Sequence, residues 1–271
     1  MPAGFKYNLT PEVEMEERYD VQTGIRRRGP FVLITTNIPA GTKLPSFAPM
    51  KADLKYHKVE LVRNFKVAEA LAADGTALKV AKGSVPYVGM TIGNGSFVSV
   101  VSAIDQSNAN YDALTIAAPG VAIAKDEVLF EAVAHIAQMT VKEDATNSAT
   151  SIKVNAESGA YVGMKISDGT HTAVVTAVTV GDSYDTLTLA ATLGAALTAD
   201  TSKLNDVTVT GAKNAANSAL YENYTVSDPA GINNVALLRT AAEIETEKLV
   251  IPFSAADREN LKGWFQFNDN E

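Results

Sequence analysis

The stretches YVGMTIGNGSFVSV (residues 87–100) and YVGMKISDGTHTAV (residues 161–174) are two versions of one motif, 74 residues apart. Working outward at that shift, 12 of 28 positions are identical between 78–105 and 152–179. After a one-residue deletion the register resumes with YDALTIA from Tyr111 and YDTLTLA from Tyr184, identical at five of seven positions. Agreement of that length marks an internal duplication, with units near 74–132 and 148–206. Each unit reads as β. Asn94-Gly95 and Asp168-Gly169 sit between β-rich runs and signal hairpins, with a two-residue type I′ turn as the expected connection. Period-2 alternation puts Met90 with Ile92, Leu114 with Ile116, Met164 with Ile166 and Leu187 with Leu189. The same alternation sets Val98, Val100 and Ile104, and in the second unit Val174 and Val178, on one side that is expected to face inward. Four or five short strands per unit predict a small barrel or sandwich.

The flanks differ from the repeats. FVLITTNIP from Phe31 and KVELVRNFKV from Lys58 read as strands separated by the proline-rich PAGTKLPSFAP. Near the other end, residues 247–252 read as a strand, Ser254 with Asp257 as a helix start, and WFQF from Trp264 as a last strand. The small, polar stretch 211–231 reads as a linker or exposed loop. The expected fold is therefore mainly β: a base domain from both chain ends (1–70 and 207–271) with two duplicated small β-barrel or sandwich modules inserted (74–132 and 148–206).

Composition bounds the function. The chain has 271 residues, is 46% hydrophobic and 20% charged, and has no cysteine, which removes disulfides, thiolate metal sites and cysteine nucleophiles. No apolar run approaches the roughly 18 residues of a membrane span, and the first thirty residues carry no apolar signal core. The net charge of −8 is split: residues 1–70 hold 11 Lys and Arg against 8 Asp and Glu, and residues 71–271 hold 12 against 23. An acidic body argues against nucleic-acid binding, which needs cations to displace phosphate counterions. Arg26, Arg27 and Arg28 follow the acidic Glu12, Glu14, Glu16 and Glu17, and are either a solvated turn or a docking contact to an acidic surface.

Catalytic and ligand-binding motifs are sparse. His57, His135 and His171 have no paired-ligand spacing, and GNGS at 93–96 lacks the lysine and helix of a phosphate loop. No GxSxG occurs. Asp112 and Asp185 recur at one place in both units, where a turn role competes with calcium binding or catalysis. Trp264, Phe265 and Phe267 read as base-domain core, with sugar stacking as the alternative. No catalytic residue, metal or organic cofactor is expected.

The opening FKYNLTPEVEMEERYDVQTGIRRRGPFVLITT, the string YVGMTIGNGSFVSVVSAIDQSNANYDALTIAAPGVAIAKDEVLFEA and the ending EKLVIPFSAADRENLKGWFQF resemble head fibre proteins of tailed bacteriophages, including those of Bacteroides-infecting and crAss-like phages. The resemblance covers the N-terminal segment, the first module and the C-terminal tail, and the second module looks like an extra copy. It implies a structural virion protein on the outer surface of the phage head, made in the host bacterial cytoplasm and touching the major capsid protein or other head proteins. It further implies a homo-oligomer, with a trimer as the expected form. Arg26, Arg27 and Arg28 are then candidate capsid contacts, and Phe265 and Phe267 candidate oligomer contacts. The alternative is a head-mounted adhesin for host-surface or mucosal glycans; an enzyme that degrades polysaccharide is disfavoured. No nucleic acid or membrane partner is expected.

Overall fold

A computed structural model describes residues 20–134 and 138–268, so Glu12, Glu14, Glu16, Glu17 and His135 lie outside the described residues. The fold is mainly β, with one short α-helix, Ala255–Leu261, among the described residues. Strands from both ends of the chain build one eight-stranded sheet. Its order is Asp20–Arg26, Leu237–Glu245, Ser218–Leu220, Pro49–Asp53, Lys58–Leu61, Phe31–Leu33 and Asn234–Val235, and Phe265–Asn268 runs parallel beside Leu237–Glu245. Leu237 and Leu238 are consecutive and both fully buried. That is possible in a strand only where both faces are covered: Leu237 packs with Phe31, Met50 and Leu61, and Leu238 with Phe47, Phe253 and Phe265.

Between the two ends the chain forms two further units. The first has the sheets Asn64–Lys66, Val128–Glu131, Thr91–Gly93, Val98–Val100 and Ala103–Asp105, Tyr111–Thr115, Ala77–Ala81. The second has one six-stranded sheet in the corresponding order, Met139–Thr140, Lys203–Asp206, Lys165–Ser167, Thr172–Thr179, Tyr184–Leu189, Ser151–Asn155. A bridge from Val67 to Val80, and one from Val141 to Val154, bring the last strand back to the first, so each sheet system nearly closes into a barrel. Inside the first are Leu78, Val80, Met90, Ile92 and Leu114; inside the second are Ile152, Val154, Met164, Ile166 and Leu187. Phe65 and Met139 also lie in these cores.

Three local expectations are corrected. First, Val100 and Val174 point outward, 43% and 41% exposed, while their neighbours Val101 and Val175 are fully buried. The cause is a bulge: register shifts between Val175 and Ala177, and the equivalent strand of the first unit breaks between Val100 and Ala103. Alternation carried back from the partly buried Ile104 and Val178 crosses that extra residue and lands on the wrong face. Threonine at Val100 or Val174 should therefore change stability by less than about 0.5 kcal/mol, whereas alanine at Val101 or Val175 should cost about 2 kcal/mol, as read by urea melts of the full chain.

Second, the hairpins have four-residue connections. Asn94 Oδ1 accepts from the amides of Ser96 and Phe97, Asp168 Oδ1 accepts from those of Thr170 and His171, and Gly95 and Gly169 alone take positive φ. A side-chain acceptor thus replaces the backbone turn. Third, the stretch 211–231 holds the strand Ser218–Leu220, buried at every residue between the two halves of the base core. Its smallness fits a narrow gap between packed faces. Residues 247–252 form no strand; the pairing strand lies just upstream, at Leu237–Glu245.

Candidate functional site

The arginine triplet is divided by its neighbours. Arg26 lies over the Tyr221 ring, 4.4 Å from its centroid. Arg27 donates from Nε to Ser218 Oγ (3.1 Å) and from Nη2 to the Asn217 carbonyl (2.7 Å), and burial together with the nearby Arg239 holds its pKa below the usual guanidinium value. Arg28 is exposed and makes no ion pair among the described residues. Phe265 is buried against Phe47 at 5.7 Å, and Phe267 packs on Phe253 at 5.1 Å with Arg258 over its outer face. These rings serve the base core, and the aromatic left half-exposed beside them is Trp264, under Arg239.

The repeated aspartates are buried in strands. Asp185 accepts from the Ser158 hydroxyl and amide, which hold its pKa below the ordinary carboxylate range, and from the Gly181 amide. Asp112 instead meets Lys82 Nζ at 2.6 Å. Exposed His171 pairs with Asp168 at 3.0 Å, and His57 stacks on Phe31. Among the described residues no three His, Asp or Glu side chains gather to hold a metal.

What the structure does bring together is a charged junction between the base and the first barrel. Glu131, at the end of its strand and 7% exposed, receives Arg63 Nη1 at 3.2 Å, Lys213 Nζ at 2.9 Å and the Tyr87 hydroxyl at 2.8 Å. Burial pushes its carboxyl up, and the hydrogen bonds from Lys213 and Tyr87 with the charge of Arg63 overcome this and leave the pKa below the usual range. Arg63 is itself buried and also donates to the carbonyls of Val85, Thr36 and Asn37. Beside these groups is a polar cleft of 170 Å³ lined by Thr36, Asn37, Glu60 and Asn214 as well as the junction charges. Every charged group at its floor already has a partner, so the arrangement joins two parts of the chain. A second node lies behind it: Asp257 Oδ2 accepts from Asn64 Nδ2 and from the amide and hydroxyl of Ser254, and its Oδ1 from the Ala216 amide.

The chain leaving the junction pairs with the chain returning to it. Ala132 bridges Ala212, the Lys213 amide donates to the Glu131 carbonyl, and the Val133 amide to that of Gly211. Among the described residues these two segments form a two-stranded neck at the root of the second barrel.

Residues 2–135 match the family model described as the phage head fiber protein. Through this half the chain belongs to the phage head fibre family. The match ends at the neck, so it takes in the N-terminal strands of the base and the first barrel of the head fibre protein, and stops before the second. No curated protein matches the chain. The family is one of structural proteins, and its members are components of the virion head.

The junction was invisible to motif searching because it has no motif. Tyr87 and Glu131 do have counterparts, since Tyr161 Oη reaches Asp206 Oδ2 at 3.4 Å in the second barrel. A repeated tyrosine followed by a repeated carboxylate was therefore the one available signal. Arg63 and Lys213 come from the unrepeated flanks.

Proposed function

We propose that this head fibre protein decorates the exterior of the capsid, with the base as its attachment part and the two barrels, copies of one module, projecting outward. The observation that carries this reading is that the excess negative charge lies on the barrels and not on the base. Residues 1–66 and 207–271 together hold 16 Lys and Arg against 16 Asp and Glu; residues 67–206 hold 7 against 15. An acidic surface would therefore repel the barrels and not the charge-balanced base, which gives the two parts of the molecule different affinities for it. The unit duplication is supported by matching contacts: Ser102 Oγ and Thr176 Oγ1 donate to the carbonyls of Thr115 and Thr188, and Lys79 and Lys153 lie over Tyr111 and Tyr184. Copies of the chain associate as a closed oligomer, a trimer in this reading. With Phe265 in the base core, such contacts fall to exposed apolar residues that recur in both barrels, Val88 with Val162 and Val100 with Val174.

Cryo-electron microscopy of intact particles tests the reading, with the base expected against the shell and the acidic barrels distal; density on the inner face, or barrels against the shell, overturns it. The neck makes a sharper prediction. Val133 and Gly211 are hydrogen-bonded neighbours in antiparallel segments, the geometry that closes a two-residue hairpin. Replacing residues 134–210 by Asn-Gly should therefore leave the base and first barrel folded, shown by an unchanged urea midpoint for their unfolding. Aggregation or loss of the transition would show that the second barrel is not an independent copy.

A further inference from the structure

At one end of the base two loops meet. The strands Pro49–Asp53 and Lys58–Leu61 are joined by residues 54–57, and the side chains at this tip point into solvent: Leu54 is 53% and Tyr56 63% exposed. The tip is held firmly. Asp53 Oδ1 accepts from the amides of Lys55 and Tyr56. His57 takes a left-handed φ of 50°, unusual outside glycine, and its ring is fixed by stacking on Phe31 at 5.0 Å and by its contact with the Pro30 carbonyl at 3.3 Å. That contact brings the exposed Arg28–Pro30 loop alongside.

Most barrel lysines are paired: Lys79, Lys82, Lys142 and Lys153 are neutralised by Glu69, Asp112, Asp200 and Glu143, while Lys125, Lys165 and Lys203 form no ion pair among the described residues. At the tip Arg28, Lys55 and Lys58 are exposed and form no ion pair among the described residues; Asp53, across the strands from Lys58, caps the turn. Lys55 lies over the Tyr56 ring, 4.9 Å from its centroid. Unpaired cations around a tyrosine and a leucine on a rigid turn have the composition of a binding hot spot at low ordering cost. The missing complement is an acidic surface.

We propose that this tip docks the base on an acidic protein face of the head, with Tyr56 and Leu54 as apolar anchors and Arg28, Lys55 and Lys58 supplying the charge. This rests on the reading that the base attaches the protein to the head. Within the arginine triplet it selects Arg28, since Arg27 is tied to Ser218 and Asn217 and Arg26 to Tyr221.

The test is co-sedimentation of the full chain with purified heads lacking the protein, at low and high salt. Two doubles carry the same charge change: Lys55→Glu with Lys58→Glu at the tip, and Lys125→Glu with Lys165→Glu on the barrels. The tip double should bind about a hundredfold more weakly, about 3 kcal/mol, and Tyr56→Ala about tenfold more weakly. The barrel double should match the unaltered chain, whose binding should fall with salt. Thermal melts show that all variants fold, as exposed positions should. If both doubles bind equally, or if salt has no effect, the tip assignment is overturned while head attachment stands. A chain that does not bind heads at all refutes attachment itself. A chain that prefers DNA fragments, and loses them in the tip double, reassigns the tip to phosphate and overturns the acidic-protein partner.

Discussion

Glu131→Gln is expected to destabilise the junction by about 3 kcal/mol, the cost of leaving a buried cation without its counter-charge. Arg63 is 6% exposed and keeps only neutral carbonyl acceptors once the carboxylate is gone, and the glutamine amide adds a donor where three donors already converge. The lower half of the expected 3–5 kcal/mol range applies because Lys213 is partly solvated and those carbonyls remain. The effect has a pH signature. The folded-state pKa of Glu131 is depressed, so its stabilisation is fully present above the unfolded value of about 4.3 and disappears as pH falls through the lower folded value. Urea melts should separate variant from parent at pH 7 and bring them together as the pH falls through that depressed value. A difference that persists unchanged in acid would show that packing at residue 131, and not its charge, holds the junction.

The parts of this fold that could be read in advance are those where the period of a strand is unbroken. Met90 with Ile92 and Met164 with Ile166 are buried as their alternation requires, and the Ser254/Asp257 pattern does start a helix with a complete capping box. Reading failed where one residue was inserted into the period, at the bulge that turns Val174 outward, and where size rather than hydropathy decides burial, as in Ser218–Ala219. The junction failed for another reason. Glu131, Arg63, Lys213 and Tyr87 are separated by up to 150 residues, and each is ordinary until the two chain ends meet in one sheet. The candidate docking tip was half legible, since the arginine triplet drew attention to its charge. Only geometry shows which of the three arginines is unpaired and that residues 54–58 stand beside it.

Asp257→Ala should be the other severe substitution, at about 4 kcal/mol. The carboxylate is fully buried and accepts four hydrogen bonds from three separate segments: Asn64 at the start of the first barrel, Ala216 in the returning chain, and Ser254 at the helix start. Hydrogen bonds to a charged acceptor contribute about 1.5–3 kcal/mol each, but they share one group and do not add, so the sum is far above the expected loss. What sets the magnitude is the set of donors stranded without an acceptor, the Ala216 amide and the Asn64 side chain above all, together with the lost cap, about 1 kcal/mol on its own. Asp257→Asn should fall between: one oxygen still accepts, while its amide nitrogen turns a donor towards other donors. Hydrogen exchange locates the damage, because the amides of Ala216 and Ser254 should lose protection together although they lie 38 residues apart. A loss under about 1 kcal/mol, or exchange rising at Ser254 alone, would reduce Asp257 to an ordinary helix cap and leave the C-terminal tail fastened within the base by apolar packing of Phe253 and Leu261.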